Sequence, residues 1–292
     1  MKHYGCQSMV SPLKRVIVKR PQEAFVNAQQ IQSQWKKLNY LDVPNFEKAI
    51  AEHEQLVRIL RNEGAEVLQL PEDSRTGLDS IYTHDPCIVA NAGAIVFQTG
   101  KESRRGEGFA MEDFFHKSDI PVLGRIDGVA TAEGGDLVWF DEHTLLAGKG
   151  FRTNAEGIEK LRALLEPSGV RVVDFDLPYW NGPSDVLHLM SFISLLDSDL
   201  AVVYRKQMPA ALFQFLESRN VTMVDVAEEE YDKLGCNVLT LSPRRILMIE
   251  GSPITRERLK KAGCEVLEFS GIDIGFKGSG GPTCLTRPIL RY

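Results

Sequence analysis

Leu137-Val138-Trp139-Phe140-Asp141-Glu142-His143-Thr144-Leu145-Leu146-Ala147-Gly148 reads as two short apolar strands around a polar turn. An amphipathic helix is predicted from about Asn154 to Leu165, because Ile158, Leu161, Leu164 and Leu165 recur at helical spacing. Pro167-Ser168-Gly169 stops it, and Val170 to Phe175 supplies a third strand. The order is therefore strand, turn, strand, helix, strand.

The same order recurs along the chain. Leu187 to Ile193, Leu200 to Tyr204, a helix near Pro209 to Ser218 and Val221 to Val226 form one further copy. Val238 to Leu241, Ile246 to Glu250, a helix near Thr255 to Ala262 and Glu265 to Phe269 form another. Tyr82 to Gly124 follows the pattern with an inserted loop expected at Gly100 to Gly108. The first copy, with Arg15 to Lys19, a helix from about Pro44 to Glu63 and Glu66 to Leu70, is the least complete. An open α/β sheet with hairpins would also fit these elements. Five similar units that each leave an apolar face are better satisfied by covering one another in a ring, a single domain over residues 1–292.

Composition narrows the class. The chain has 292 residues, 34 Lys+Arg against 40 Asp+Glu, a net charge of −6 and 43% hydrophobic residues. That is enough apolar material for a core. The mild acidity lacks the basic stripe of a nucleic-acid or membrane-surface binder. No apolar run approaches the ~18 residues of a membrane span, and the first residues lack a signal-peptide core. The cysteines Cys6, Cys87, Cys236, Cys264 and Cys284 are odd in number and scattered, as expected of a cytoplasmic protein with free thiols.

Polar residues fall at matching places in successive units: Asp85, then Glu133 after 48 residues, His188 after 55 more and Asn237 after 49 more. In a ring these positions converge on the axis. Gly278-Ser279-Gly280-Gly281-Pro282-Thr283 then delivers Cys284. A thiol with an imidazole and a carboxylate is an arrangement for nucleophilic attack at an electrophilic carbon. Surplus carboxylates call for a cationic substrate, and a planar guanidinium offers paired hydrogen bonds. His84 and Cys87 have a metal-like spacing, but two ligands without two more argue against a metal. Trp35, Tyr40 and the segment around them fit no unit and are expected to form a flap over the site.

Asp79-Ser80-Ile81-Tyr82-Thr83-His84-Asp85, Glu133-Gly134-Gly135-Asp136, His188-Leu189-Met190-Ser191-Phe192 and Gly280-Gly281-Pro282-Thr283-Cys284 resemble the guanidine-modifying enzymes. Those are arginine deiminase, dimethylarginine dimethylaminohydrolase and the amidinotransferases. The resemblance spans nearly the whole chain and implies a five-bladed α/β propeller that needs no metal or organic cofactor. It implies Cys284 as nucleophile, His188 as general acid and base, and Glu133 as the carboxylate that orients the imidazole. Asp85 is implied to grip the guanidinium, Asp79 to meet the substrate α-ammonium group, and Arg104 and Arg152 to clamp its carboxylate. Tyr82 belongs to the same substrate-binding set. Where arginine deiminases place an aspartate two residues after the histidine, this chain has Met190, which leaves room for N-methyl groups. The expected activity is hydrolysis of N-omega-methylated arginine to citrulline and methylamine or dimethylamine, by a monomer or homodimer. Arginine deiminase, arginine dihydrolase, amidinotransferase and a non-catalytic propeller binding protein are the alternatives.

Overall fold

Strands joined by a tight turn run antiparallel, whereas a helix between two strands lets them run parallel. Every repeat obeys this rule in the computed structural model, which describes residues 3–292. β1 (Leu13–Val18) leads through α1 (Pro21–Ala24), α2 (Ala28–Gln34) and α3 (Phe46–Asn62) to β2 (Glu66–Gln69). The second unit is β3 (Cys87–Val89), β4 (Ala94–Phe97), α4 (Gly106–Lys117) and β5 (Val122–Ile126). The third is β6 (Leu137–Asp141), β7 (Thr144–Lys149), α5 (Ala155–Leu165) and β8 (Arg171–Asp176). The fourth is β9 (Ile193–Asp197), β10 (Leu200–Val203), α6 (Ala210–Ser218) and β11 (Thr222–Asp225). The fifth is β12 (Leu239–Ser242), β13 (Arg245–Ile249), α7 (Pro253–Lys261) and β14 (Glu265–Phe269).

In units two to five the middle strand pairs antiparallel with the first and parallel with the third. The first unit borrows its missing strand from the far end of the chain. β15 (Arg287–Arg291) pairs antiparallel with β1, setting Arg287 opposite Ile17 and Arg291 opposite Leu13. The result is five three-stranded sheets. Contacts run from β15 to β3, from α5 to β5, from β6 to the turn ahead of β9, from β9 to β12 and from β12 to β1. That circuit is a five-bladed α/β propeller, and none of the described sheets is the broad open sheet of the alternative reading.

The middle strands are sandwiched on both faces, and all four residues of β4 and of β10 are buried. Helices join neighbouring blades. Ile158, Leu161 and Leu165 of α5 pack with Leu145 and Val172 of their own blade and with Ile126 of the preceding one. Gly169, at φ +70°, takes the left-handed conformation that turns the chain from this helix toward β8.

Two local expectations change. The segment from Gly100 to Gly108 is not a free loop but a 3-10 turn at Glu102–Arg104 followed by the start of α4. A Cβ on Gly106 or Gly108 would collide with the carbonyls of Arg75 or Phe97, so these glycines permit close packing. The residues from Leu187 to Phe192 are not strand: Leu189–Ser191 is a 3-10 turn, and β9 begins at Ile193. The His188 N–H donates to Ser191 Oγ at 3.1 Å and the Leu189 N–H to Asp136 Oδ1 at 3.0 Å, which draws the backbone off the ladder. Among the described residues, no helix is long and apolar enough to cross a membrane.

Candidate active site

Each blade presents one polar residue just ahead of its first strand. Asp85 precedes β3, Glu133 precedes β6, His188 precedes β9, Asn237 precedes β12 and Cys284 precedes β15. The turns ahead of the strands carry these side chains, not the strands themselves, and Cys284 occupies the register of the first blade. Ligand atoms of Asp85, Glu133 and His188 all lie within 4.8 Å of one another. The sulfur of Cys284 is close enough for the Asp85 charge to act on it. The Cys284 carbonyl accepts from the His84 N–H at 3.1 Å, beside Asp85.

Glu133 is fully buried. One of its oxygens lies 2.8 Å from His188 Nε2, and the other accepts from the Lys101 N–H at 3.0 Å. Arg152 Nη1 approaches both oxygens at 3.3 and 3.4 Å, and its Nη2 donates to the Asp185 carbonyl at 3.0 Å. Burial would raise the Glu133 pKa, but the hydrogen bond and charge of His188 and the charge of Arg152 hold it at about 2. Burial opposes a charged imidazole at His188, yet the carboxylates of Asp136, Glu133 and Asp85 outweigh it and raise its pKa to about 9. At neutral pH the pair is therefore carboxylate and imidazolium. Gly135 makes room for the ring, since any Cβ there would strike His188 Nδ1. Asp136 fastens the neighbouring turn by accepting from the Leu189 N–H.

Asp85 accepts from Arg104 Nη1 at 2.6 Å and from the Gly135 N–H at 3.0 Å. Burial pushes its carboxyl up, but the charges of Arg104, His188 and His84 keep it well below the usual carboxylate range. Each carboxylate oxygen still has lone-pair capacity for an incoming donor. Arg104 is also buried. It forks onto Glu107 at 3.0 and 2.8 Å and reaches the carbonyls of Tyr82 and Asp79 at 3.1 and 3.3 Å. These bonds commit all but one of its N–H groups, so in this structure Arg104 braces Asp85 and is not extended toward a ligand carboxylate.

Asp79 is buried and receives Lys101 Nζ at 2.7 Å. Tyr82 donates to the Gly275 carbonyl at 3.2 Å, and its ring fills the space beside Gly278 and Gly280. Tyr82 thus supports the segment that delivers Cys284. The segment expected as a flap borders this region: the Leu38 carbonyl accepts from Lys101 Nζ at 2.8 Å, and Tyr40 packs beside Gly278.

Cys284 is half-buried. Burial and the Asp85 charge push its thiol up to about 11, and a hydrogen bond from Asn237 pulls the other way. Three contacts escaped the reading of the sequence: Asn237 on the sulfur, Lys101 on Asp79 and Glu107 on Arg104. The register of Asn237 and the three-residue spacing of Arg104 and Glu107 were the available signals. Asp85, Glu133 and His188 could be taken for metal ligands. In this structure Asp85 and Glu133 are instead paired with Arg104 and Arg152, and Glu133 also faces His188 Nε2.

Five such blades converging on acids, an imidazole and a thiol define a guanidine-modifying enzyme of the α/β propeller class. The family described as N,N dimethylarginine dimethylhydrolase, eukaryotic, matches residues 20–291, and the chain belongs to it. The N(G),N(G)-dimethylarginine dimethylaminohydrolase of Pseudomonas aeruginosa is 27% identical over 275 residues, which are 94% of this chain and 98% of that one. The protein of the same name from Streptomyces coelicolor is 29% identical over 280 residues, 94% and 96% of the two chains. Among solved structures, a cysteine-to-serine mutant of the Pseudomonas aeruginosa protein complexed with citrulline superposes with a TM-score of 0.77 at 26% identity. It covers 96% of this chain and 100% of that one.

Proposed function

We propose that this chain hydrolyses N-omega-methylated arginine to citrulline and methylamine or dimethylamine, with Cys284 as nucleophile. The observation that carries this reading is the His188–Glu133 pair at 2.8 Å with Asp85 beside it, in the blade register shared by Cys284.

The substrate guanidinium donates to Asp85, which brings its carbon to the sulfur. Its positive charge offsets the Asp85 charge that disfavours the thiolate. The thiol gives up its proton to solvent, and the thiolate attacks that carbon and forms the C–S bond. His188 donates its proton to the methylated nitrogen as the C–N bond breaks, leaving an S-alkylthiouronium intermediate. The neutral imidazole then takes a proton from water, whose oxygen attacks the same carbon. The C–S bond breaks, the remaining hydroxyl proton passes to the departing sulfur to restore the thiol, and the ureido product leaves. Glu133 keeps the imidazole oriented and charged in the resting enzyme. The reaction balances with water alone.

Asp79 would take the substrate α-ammonium group, in competition with Lys101. Arg152 is the better placed clamp for the substrate carboxylate, since its contacts to Glu133 are long, while Arg104 serves chiefly by holding Asp85. Met190 favours a methylated substrate over free arginine. It is buried beside a small cavity that Val138, Ile193, Thr283 and Arg291 also line and that no carboxylate lines. Five free thiols support a reducing, cytoplasmic setting.

Incubation with asymmetric dimethylarginine, monomethylarginine and arginine, with citrulline and released amine both quantified, tests the reading. Dimethylarginine or monomethylarginine is expected to give equal amounts of citrulline and amine, and quenched turnover to carry an adduct on Cys284. Arginine turnover that exceeds both, or an adduct on another residue, overturns it.

A further inference from the structure

We infer that Asn237 is a further catalytic residue: its side-chain amide donates to the Cys284 sulfur and stabilises the attacking thiolate. The inference rests on the function proposed above and adds a group to its machinery.

Asn237 Nδ2 lies 3.1 Å from Cys284 Sγ. The orientation of the amide is set at its other end, where the Thr283 N–H points at Oδ1 from 3.2 Å. A flipped amide would face that N–H with a second donor, so Nδ2 is the end left for the sulfur. One side chain thereby holds both the nucleophile and the residue before it. Thr283 Oγ1 adds a bond to the Val238 carbonyl at 3.1 Å, tying the same turn to the next residue of the fifth blade. The backbone of Asn237 is itself anchored, donating to the Leu234 carbonyl at 2.9 Å. Gly281 completes the fit, because a Cβ there would lie 2.5 Å from Asn237 Cγ and Oδ1.

Asp85, Arg104 and Tyr82 are among the charged and titratable groups that act on the sulfur, and the Gly281 backbone also donates to it. Arg104 spends its donors on Asp85 and Glu107, and the His188 Nε2 faces Glu133. Asn237 supplies the one side-chain hydrogen bond to this sulfur among the described residues. A neutral donor suits the place. It stabilises an anion without competing with a cationic substrate for Asp85, and an N–H bond to a charged acceptor is stronger than one to a neutral acceptor.

The test is the pH dependence of iodoacetamide labelling at Cys284, followed by mass spectrometry of its peptide. Asn237→Asp keeps an acceptor for Thr283 and replaces the donor with a carboxylate; Asn237→Ala removes both. Labelling in both variants is expected to need a pH about one unit higher. The kcat should fall about tenfold or more while KM stays within about threefold. An unmoved labelling midpoint in a folded variant overturns the inference. Labelling needs no substrate, so a wild-type chain that ignores methylated arginine would sink the proposed function and leave this measurement standing. The amide can also be read without altering Asn237. Its side-chain proton resonance should move upfield when Cys284→Ala removes the acceptor, and an unchanged resonance overturns the inference.

Discussion

His188 Nε2 stands 2.8 Å from Glu133 Oε2, a contact that joins the third and fourth blades across 55 residues of sequence. It helps to keep the imidazole protonated in the resting site. With the His188 pKa at about 9 and the Cys284 thiol at about 11, the resting site is imidazolium and neutral thiol. The reactive form, imidazolium with thiolate, is then a minor species whose share grows with pH until the imidazole deprotonates. The kcat/KM is expected to rise roughly tenfold per pH unit toward about 9, flatten, and fall again near 11. A profile level from pH 6 to 9 contradicts this.

The same pair links stability to pH. The His188 pKa is raised, so its contribution is full below about 6.5 and is lost as pH climbs through about 9. The Glu133 pKa is lowered, so its contribution is full above about 4.5 and is lost as pH falls through about 2. Calorimetry of the wild type and Glu133→Gln should show the largest Tm difference between about pH 4.5 and 6.5 and a smaller one at pH 9.5. A gap that widens at pH 9.5 refutes the linkage.

Arg104 is a buried cation between two buried acids, Asp85 and Glu107. Removing it leaves both carboxylates unpaired, and Arg104→Ala is expected to cost about 3–5 kcal/mol. Arg104→Lys keeps the charge but cannot reproduce the fork, so it should cost less. Urea denaturation midpoints measure both, and an Arg104→Ala variant as stable as the wild type would dismiss the bracing role.

Gly135→Ala places a methyl group against the His188 ring. The kcat is expected to drop at least about tenfold with an unchanged fold, because the displaced imidazole no longer reaches the leaving nitrogen. Full activity in this variant would mean that the ring sits elsewhere during turnover.

Met190→Asp restores the residue that arginine deiminases carry, within a buried apolar setting. The ratio of dimethylarginine to arginine turnover should fall about tenfold or more. A ratio that holds steady or increases would remove Met190 from the account of specificity.

The repeat was legible because strand, helix and turn patterns are local. Short apolar runs, helical spacing and a stop at Pro167-Ser168-Gly169 need only a dozen neighbouring residues to declare themselves. The common register of Asp85, Glu133, His188 and Asn237 followed from that repeat, and so did their convergence. The glycines of the 100–108 segment misled for the opposite reason. Their use is a close approach to Arg75 and Phe97, which no local pattern encodes.

What the chain alone determined is thus the blade, its number of copies and the residue types that each blade brings to the axis. The tertiary structure decided how the ring closes, through β15 pairing with β1 from opposite ends of the chain. It also decided which acid is neutralised by which cation, and that the turns ahead of the strands carry the polar side chains at the axis. These are long-range matters, because charge pairing and desolvation depend on distances set by packing between blades and not on neighbours in sequence.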